Sequence, residues 1–163
     1  MKQMQFNKNT IAWFKIAEYV SRGEKERALG VYRLLSYSFN DDAVARQLEA
    51  DIYFSFGECD SAIVLYRQAM DLYQKSNRVL EAVAVGEHLI VMSPHDMPLR
   101  RDVIRLYISL DNVSKIQMHI CKALDDMNVA ENKQSLQEFL STLRAYSDEL
   151  YEYAHDYLQN MSL

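Results

Sequence analysis

The sequence predicts an all-α chain: a stack of about eight antiparallel helices with a long helix closing its C-terminal end. Three observations predict it. The 163 residues contain only 4 Gly and 2 Pro, too few for a turn-rich β fold. Apolar residues recur at three- and four-residue steps in segment after segment, with no strand-like alternation between them. Matching residues also return 34 positions later, at two places in the chain.

The first helix carries Trp13, Ile16, Ala17 and Val20 on one face, and Arg22-Gly23-Glu24 supplies a turn. Ala28, Val31, Tyr32 and Leu35 form the second apolar face. Asn40-Asp41-Asp42 then interrupts the chain, and Asp41 or Asp42 suits the N-cap of the third helix. That helix holds Leu48, Ala50, Ile52, Tyr53 and Phe56, and ends at Gly57. Asp60 or Ser61 is placed to cap the fourth, which carries Ala62, Leu65, Tyr66, Ala69 and Tyr73. Ser76-Asn77 is a weaker break. The fifth helix holds Leu80, Val83, Leu89 and Met92 and stops at Ser93-Pro94. The sixth starts near Pro98, an early helical position that proline tolerates, and carries Val103, Leu106, Tyr107 and Leu110. Asp111-Asn112 separates it from a seventh helix with Ile116, Ile120, Ala123 and Leu124.

Ala28 and Tyr32 match Ala62 and Tyr66, 34 residues on, and Gly23 matches Gly57. Asn77, Ala82, Gly86 and Leu89 match Asp111, Ile116, Ile120 and Ala123 at the same offset. The clearest copy, Ala43 to Asn77, has Ala50 and Tyr53 in its first helix, Gly57 at the turn, and Ala62, Tyr66 and Ala69 in its second. Small residues let two helices approach, and aromatics fill holes in the neighbouring helix. This order of small, aromatic, glycine, small, aromatic and small residues resembles the tetratricopeptide repeat (TPR). The resemblance runs from about Asn9 to Asp126, with repeats at 9–40, 43–76 and 97–126. It implies a right-handed helical solenoid over residues 1–128, followed by a C-terminal segment, 129–163. Ala62 and Ala82 are only 20 residues apart, so the period breaks there. Either the fourth helix serves two hairpins, or the fifth begins an atypical one.

Heptad spacing marks the C-terminal segment. Leu136, Leu143, Leu150 and Tyr157 form one line; Phe139, Tyr146 and Tyr153 form a second. The pattern predicts one amphipathic helix of about eight turns that caps the array. A second reading is a homodimer through residues 134–163.

Chemistry-bearing motifs are absent from the sequence. The histidines His88, His95, His119 and His155 form no HExxH, and Cys59 and Cys121 form no CxxC. No metal ligand set, cofactor site or catalytic residue is expected. A net charge of −5 disfavours nucleic acid as a partner. Residues 1–9 lack the apolar run of a secretory signal, no span suits a membrane, and a cytoplasmic protein is expected.

The resemblance instead implies a concave groove lined by the first helix of each repeat. Carried over by position, the groove residues are Phe14 and Glu18; Gln47, Asp51, Phe54 and Ser55; and Arg101, Arg105 and Ile108. Arg101 and Arg105 are four apart and share a helix face, an arrangement suited to a carboxylate. The early positions Phe14, Glu18 and Asp51 would not grip one, which sets this chain apart from TPR clamps for chaperone C-termini. The expected function is a non-catalytic scaffold that holds a peptide or partner helix. A small acidic chain with such repeats is also similar to the chaperones of bacterial type III secretion translocators. A structural self-assembly element, acting through the terminal helix, is the third expectation.

Overall fold

A computed structural model describes residues 8–129 and 133–161. Among them are nine α-helices and no strand. They are α1 (Lys8–Ser21), α2 (Lys25–Ser36), α3 (Asp42–Ser55), α4 (Cys59–Lys75), α5 (Val79–Met92), α6 (Met97–Ser109), α7 (Val113–Val129), α8 (Lys133–Tyr146) and α9 (Asp148–Met161). The chain divides into two compact units, Met1–Met92 and Ser93–Leu163.

One turn geometry joins four of the helix pairs. Gly23, Gly57, Asn77 and Asp111 all have positive φ, at 74°, 76°, 56° and 52°. At each, the amide N–H donates three residues back and the next N–H donates five residues back. Gly57 N–H reaches the Phe54 carbonyl at 2.9 Å, and Glu58 N–H reaches the Tyr53 carbonyl at 3.0 Å. This pair of bonds is the Schellman closure of a helix C-terminus. The carbonyl of the following residue (Glu24, Glu58, Arg78 or Asn112) then accepts the first bond of the next helix. The turns are spaced 34, 20 and 34 residues apart, as the matched positions in the sequence require. The period break is thereby explained: α4 leaves one such turn and enters the next, so it belongs to two hairpins, α3–α4 and α4–α5.

This turn also corrects the expected start of α4. Neither Asp60 nor Ser61 caps it. The helix begins at Cys59, with Glu58 in the capping position and no side-chain cap bond. The preceding turn already delivers the chain in register, so a side-chain cap is dispensable. Asp41, by contrast, caps α3 through its carboxylate, which accepts from Ala43 and Val44 N–H at 3.1 Å each. Asp96 caps α6 in the same way through Leu99 N–H at 2.9 Å, just ahead of Pro98.

In the first unit, alanines at helix crossings are wholly buried: Ala28, Ala50, Ala62, Ala69 and Ala82. Tyr32, Leu35, Ile52, Tyr66, Tyr73 and Leu89 fill the space around them. Three expected core positions are exposed instead, Trp13, Ala17 and Leu80. Ion pairs tie successive hairpins: Lys25 to Glu58, and Arg78 to the capping carboxylate of Asp41.

In the second unit, Leu99, Val103, Ile104, Ile120, Ala123, Leu124, Phe139, Leu143 and Ala154 are buried. The expected single terminal helix is not formed. The segment is two helices, α8 and α9, packed on each other, and α7 packs against both. Ser147 breaks the run: its N–H closes α8 on the Leu143 carbonyl, and its hydroxyl accepts from Glu149 N–H at 3.2 Å. Asp148 and Glu149 then place negative charge in the first turn of α9, which favours a helix start there. The first heptad line keeps to the interior across the break: Leu143 is buried before it, and Leu150 and Tyr157 are half-buried after it.

Candidate functional site

A cavity of about 310 Å³ opens between α3 and α5 in the first unit. Helix α3 contributes Gln47, Asp51, Phe54 and Ser55, which helical spacing places on one face. Ala84, Val85 and His88 of α5 line the other side, and Tyr66 of α4 closes the base. Four of the groove residues expected from the sequence therefore meet at one site. Asp51, Phe54, Ser55 and Ala84 are exposed, so the cavity is open to solvent.

Tyr66 is only 3% exposed, and its hydroxyl donates to Asp51 Oδ1 at 2.5 Å. Burial, then the bond to Asp51, holds the tyrosine pKa well above its ordinary value, so the phenol stays a donor. Tyr73 donates to Gln47 Oε1 at 2.8 Å. The His88 ring meets the edges of Phe54 and Tyr66, with centroids 5.1 and 4.8 Å away. Its Nε2 is buried and has no hydrogen-bond partner. Asp51 is the one formally charged side chain in the lining. The walls thus combine an anchored carboxylate, an imidazole nitrogen and two aromatic rings.

The other expected groove residues do not line this cavity. Phe14, 65% exposed, and Glu18 lie on α1, where Glu18 pairs with Arg22 at 2.6 Å. Arg101, Arg105 and Ile108 belong to the second unit. There Arg105 donates from Nε to the Tyr146 hydroxyl at 2.9 Å and pairs with Asp102 at 3.3 Å. Arg101 and Ile108 are half-buried.

Two more of the cavities in the first unit border α3 and the α1–α2 hairpin. One, about 560 Å³, lies on the opposite side of α3 and is lined by Asp42, Ala45, Arg46 and Glu49 with Tyr32, Ser36 and Leu72. Tyr32 donates to the Ala45 carbonyl and to Glu49, and burial with the adjacent Glu49 pushes its pKa up to about 12. The other, about 380 Å³, lies on the α1–α2 hairpin, where Ile11, Val31, Leu34 and Leu35 give it an apolar lining.

Sequence reading missed several residues. His88 was considered only as a metal ligand, and among the described residues no group of three or more His, Cys, Asp or Glu is placed to hold one. Its position two turns after Glu81 on α5 carried no signal, because the pairing of α5 with α3 depends on the shared α4. Arg100 was missed too. It is wholly buried in the second unit, donating to the Pro94 carbonyl at 2.7 Å and to Asp126 at 3.2 Å. His119 stacks on Tyr107, whereas Cys121 lies against the Tyr153 hydroxyl at 3.2 Å, so the two serve different contacts.

No protein-family model matches the chain, and no curated protein matches it either.

Proposed function

We propose that this chain is a non-catalytic, TPR-like interaction module that holds a segment of another polypeptide in the trough between α3 and α5. One observation carries the reading: an open cavity of about 310 Å³, floored by a fully packed tyrosine and walled by aromatic and polar side chains. That volume is at the small end for ligand pockets and suits one or two side chains of a peptide better than a cofactor. Repeated Schellman turns at the 34-residue spacing support a TPR-like stacking of the hairpins within the first unit. Binding would draw on burial of a few partner side chains, with polar groups setting register.

A photo-crosslinking amino acid at Ser55 tests this in cells. Crosslinks from position 55 to one polypeptide are expected, with none from the exposed control position Arg33 on α2. Equal labelling from both positions would remove the reading.

A second reading has its own support. Ile11, Phe14, Leu34 and Tyr37 are exposed on the α1–α2 hairpin, beside the apolar cavity there. Such a patch suits a chaperone that shields an apolar client before secretion. That client should become insoluble when the chain is deleted. No helix among the described residues is long and apolar enough to cross a membrane. We place both readings in the cytoplasm.

A further inference from the structure

We propose that the α3–α5 cavity is a cation pocket, which takes a lysine or arginine side chain presented by the partner polypeptide. The proposal rests on the peptide-binding reading above and names the chemistry of what is bound.

Charge comes first. Asp51 is the one formally charged side chain in the lining, and no Lys or Arg accompanies it. No cation in the lining offsets the repulsion between Asp51 and a partner carboxylate. The Asp51 carboxylate is also held in place, because the buried Tyr66 hydroxyl donates to its Oδ1. An ionised carboxylate accepts several hydrogen bonds, so this one bond orients the group and leaves it capacity for an incoming donor. A pre-positioned acceptor loses little freedom on binding.

Shape comes next. Val85, Ala84 and the exposed Phe54 ring offer an apolar wall for a hydrocarbon stem. Aromatic rings beside a cationic head add attraction. Gln47 Oε1, in the same lining, accepts one bond from Tyr73 and can accept another from a head that carries several N–H groups. A purely apolar side chain would desolvate the exposed Asp51 carboxylate and give it no donor in return. The overall charge of −5 also favours encounter with basic segments.

The test uses the full chain and a phage-displayed library of short random peptides, with hits resynthesised and titrated by calorimetry. Hits that bind the trough are recognised by loss of binding to the Phe54→Ala and Ser55→Trp variants. These hits are expected to share one basic residue. Replacing that residue with Gln should weaken binding by about 10- to 100-fold, the usual worth of a hydrogen-bonded charge. Asp51→Asn should cost the same factor and make the Gln replacement neutral. Asn can still accept from Tyr66, and circular dichroism checks the fold. Ser55→Lys, at an exposed rim position, is a second variant and should repel the same peptides. Trough-binding hits without a basic residue, or basic hits indifferent to both Asp51→Asn and Ser55→Lys, would overturn the cation pocket and leave the interaction module standing. Should no hit depend on the trough, both readings fall together.

Discussion

Tyr32 and Tyr66 reach α3 from flanking helices, and each hydroxyl ends on a carboxylate of that helix, Glu49 or Asp51. In the second unit Tyr153 meets Cys121, and Tyr157 donates to Asp125 at 3.0 Å. The Cys121 contact, then burial, raises Tyr153 to about 12. Burial, then Glu49, does the same for Tyr32. Both folded values lie above the free tyrosine value of 10.0, so the folded chain holds these protons more tightly than the unfolded one. Their contribution to stability is therefore complete below about pH 10 and is lost as pH rises towards 12. Denaturant midpoints should fall across that window, and phenolate absorbance of Tyr32→Phe and Tyr153→Phe variants should lose the late-titrating component. Arg100 allows a second prediction. Asp126→Ala strands a buried guanidinium and should cost about 2–3 kcal/mol in chemical unfolding. Arg100→Met removes the charge itself and should cost less. The burial of Ala28, Tyr32, Ala62 and Tyr66 was legible, because small and large residues at helical spacing have few other places to go. Arg100 was not: nothing in the sequence sets it apart from its neighbour Arg101 until the fold shows which one is wholly buried.

At the scale of the element, the turns carry the regularity of the chain. Gly57 adopts φ of 76°, and a Cβ there would meet nothing within 4 Å. Gly57→Ala should therefore cost about 1 kcal/mol from backbone strain alone, without a packing clash. Asn77 holds the same conformation with a side chain, so Asn77→Gly should be close to neutral or slightly stabilising. Paired thermal melts of the two variants measure the contrast. Glycine at positions 23 and 57 announced its turns in the sequence; Ser76-Asn77 and Asp111-Asn112 read as breaks, and Asn77 matched Asp111 at the 34-residue offset. Helix α9 was the clearest failure. A heptad stripe continued through Ser147, and periodicity outweighed the serine and two acidic residues that start a new helix. A repeat of seven holds equally for one long helix and for two that fold back with the same interior face.

For the whole molecule, each unit has its own buried core, set by hairpins that are local in sequence. A fragment of residues 1–92 should fold alone, with a cooperative thermal transition and helical circular dichroism; a non-cooperative melt would count against an autonomous core. The candidate site was half legible. Gln47, Asp51, Phe54 and Ser55 followed from the TPR resemblance, which puts the first helix of a hairpin on the groove, but Ala84, Val85 and His88 required the neighbour of that helix to be known. The sharing of α4 supplies that neighbour, and no local pattern in α5 reports it.

The double use of α4 has one more consequence. Because the chain leaves α3 and α4 with the same bend and the same hydrogen bonds, those two bends are interchangeable junctions. Excising residues 58–77 would splice α3 onto α5 through an unaltered joint, and excising 24–57 would do the same for α1 and α4. Gain or loss of a single helix at these seams would keep every remaining connection intact, a route by which such a chain could change length in steps of one helix as well as two.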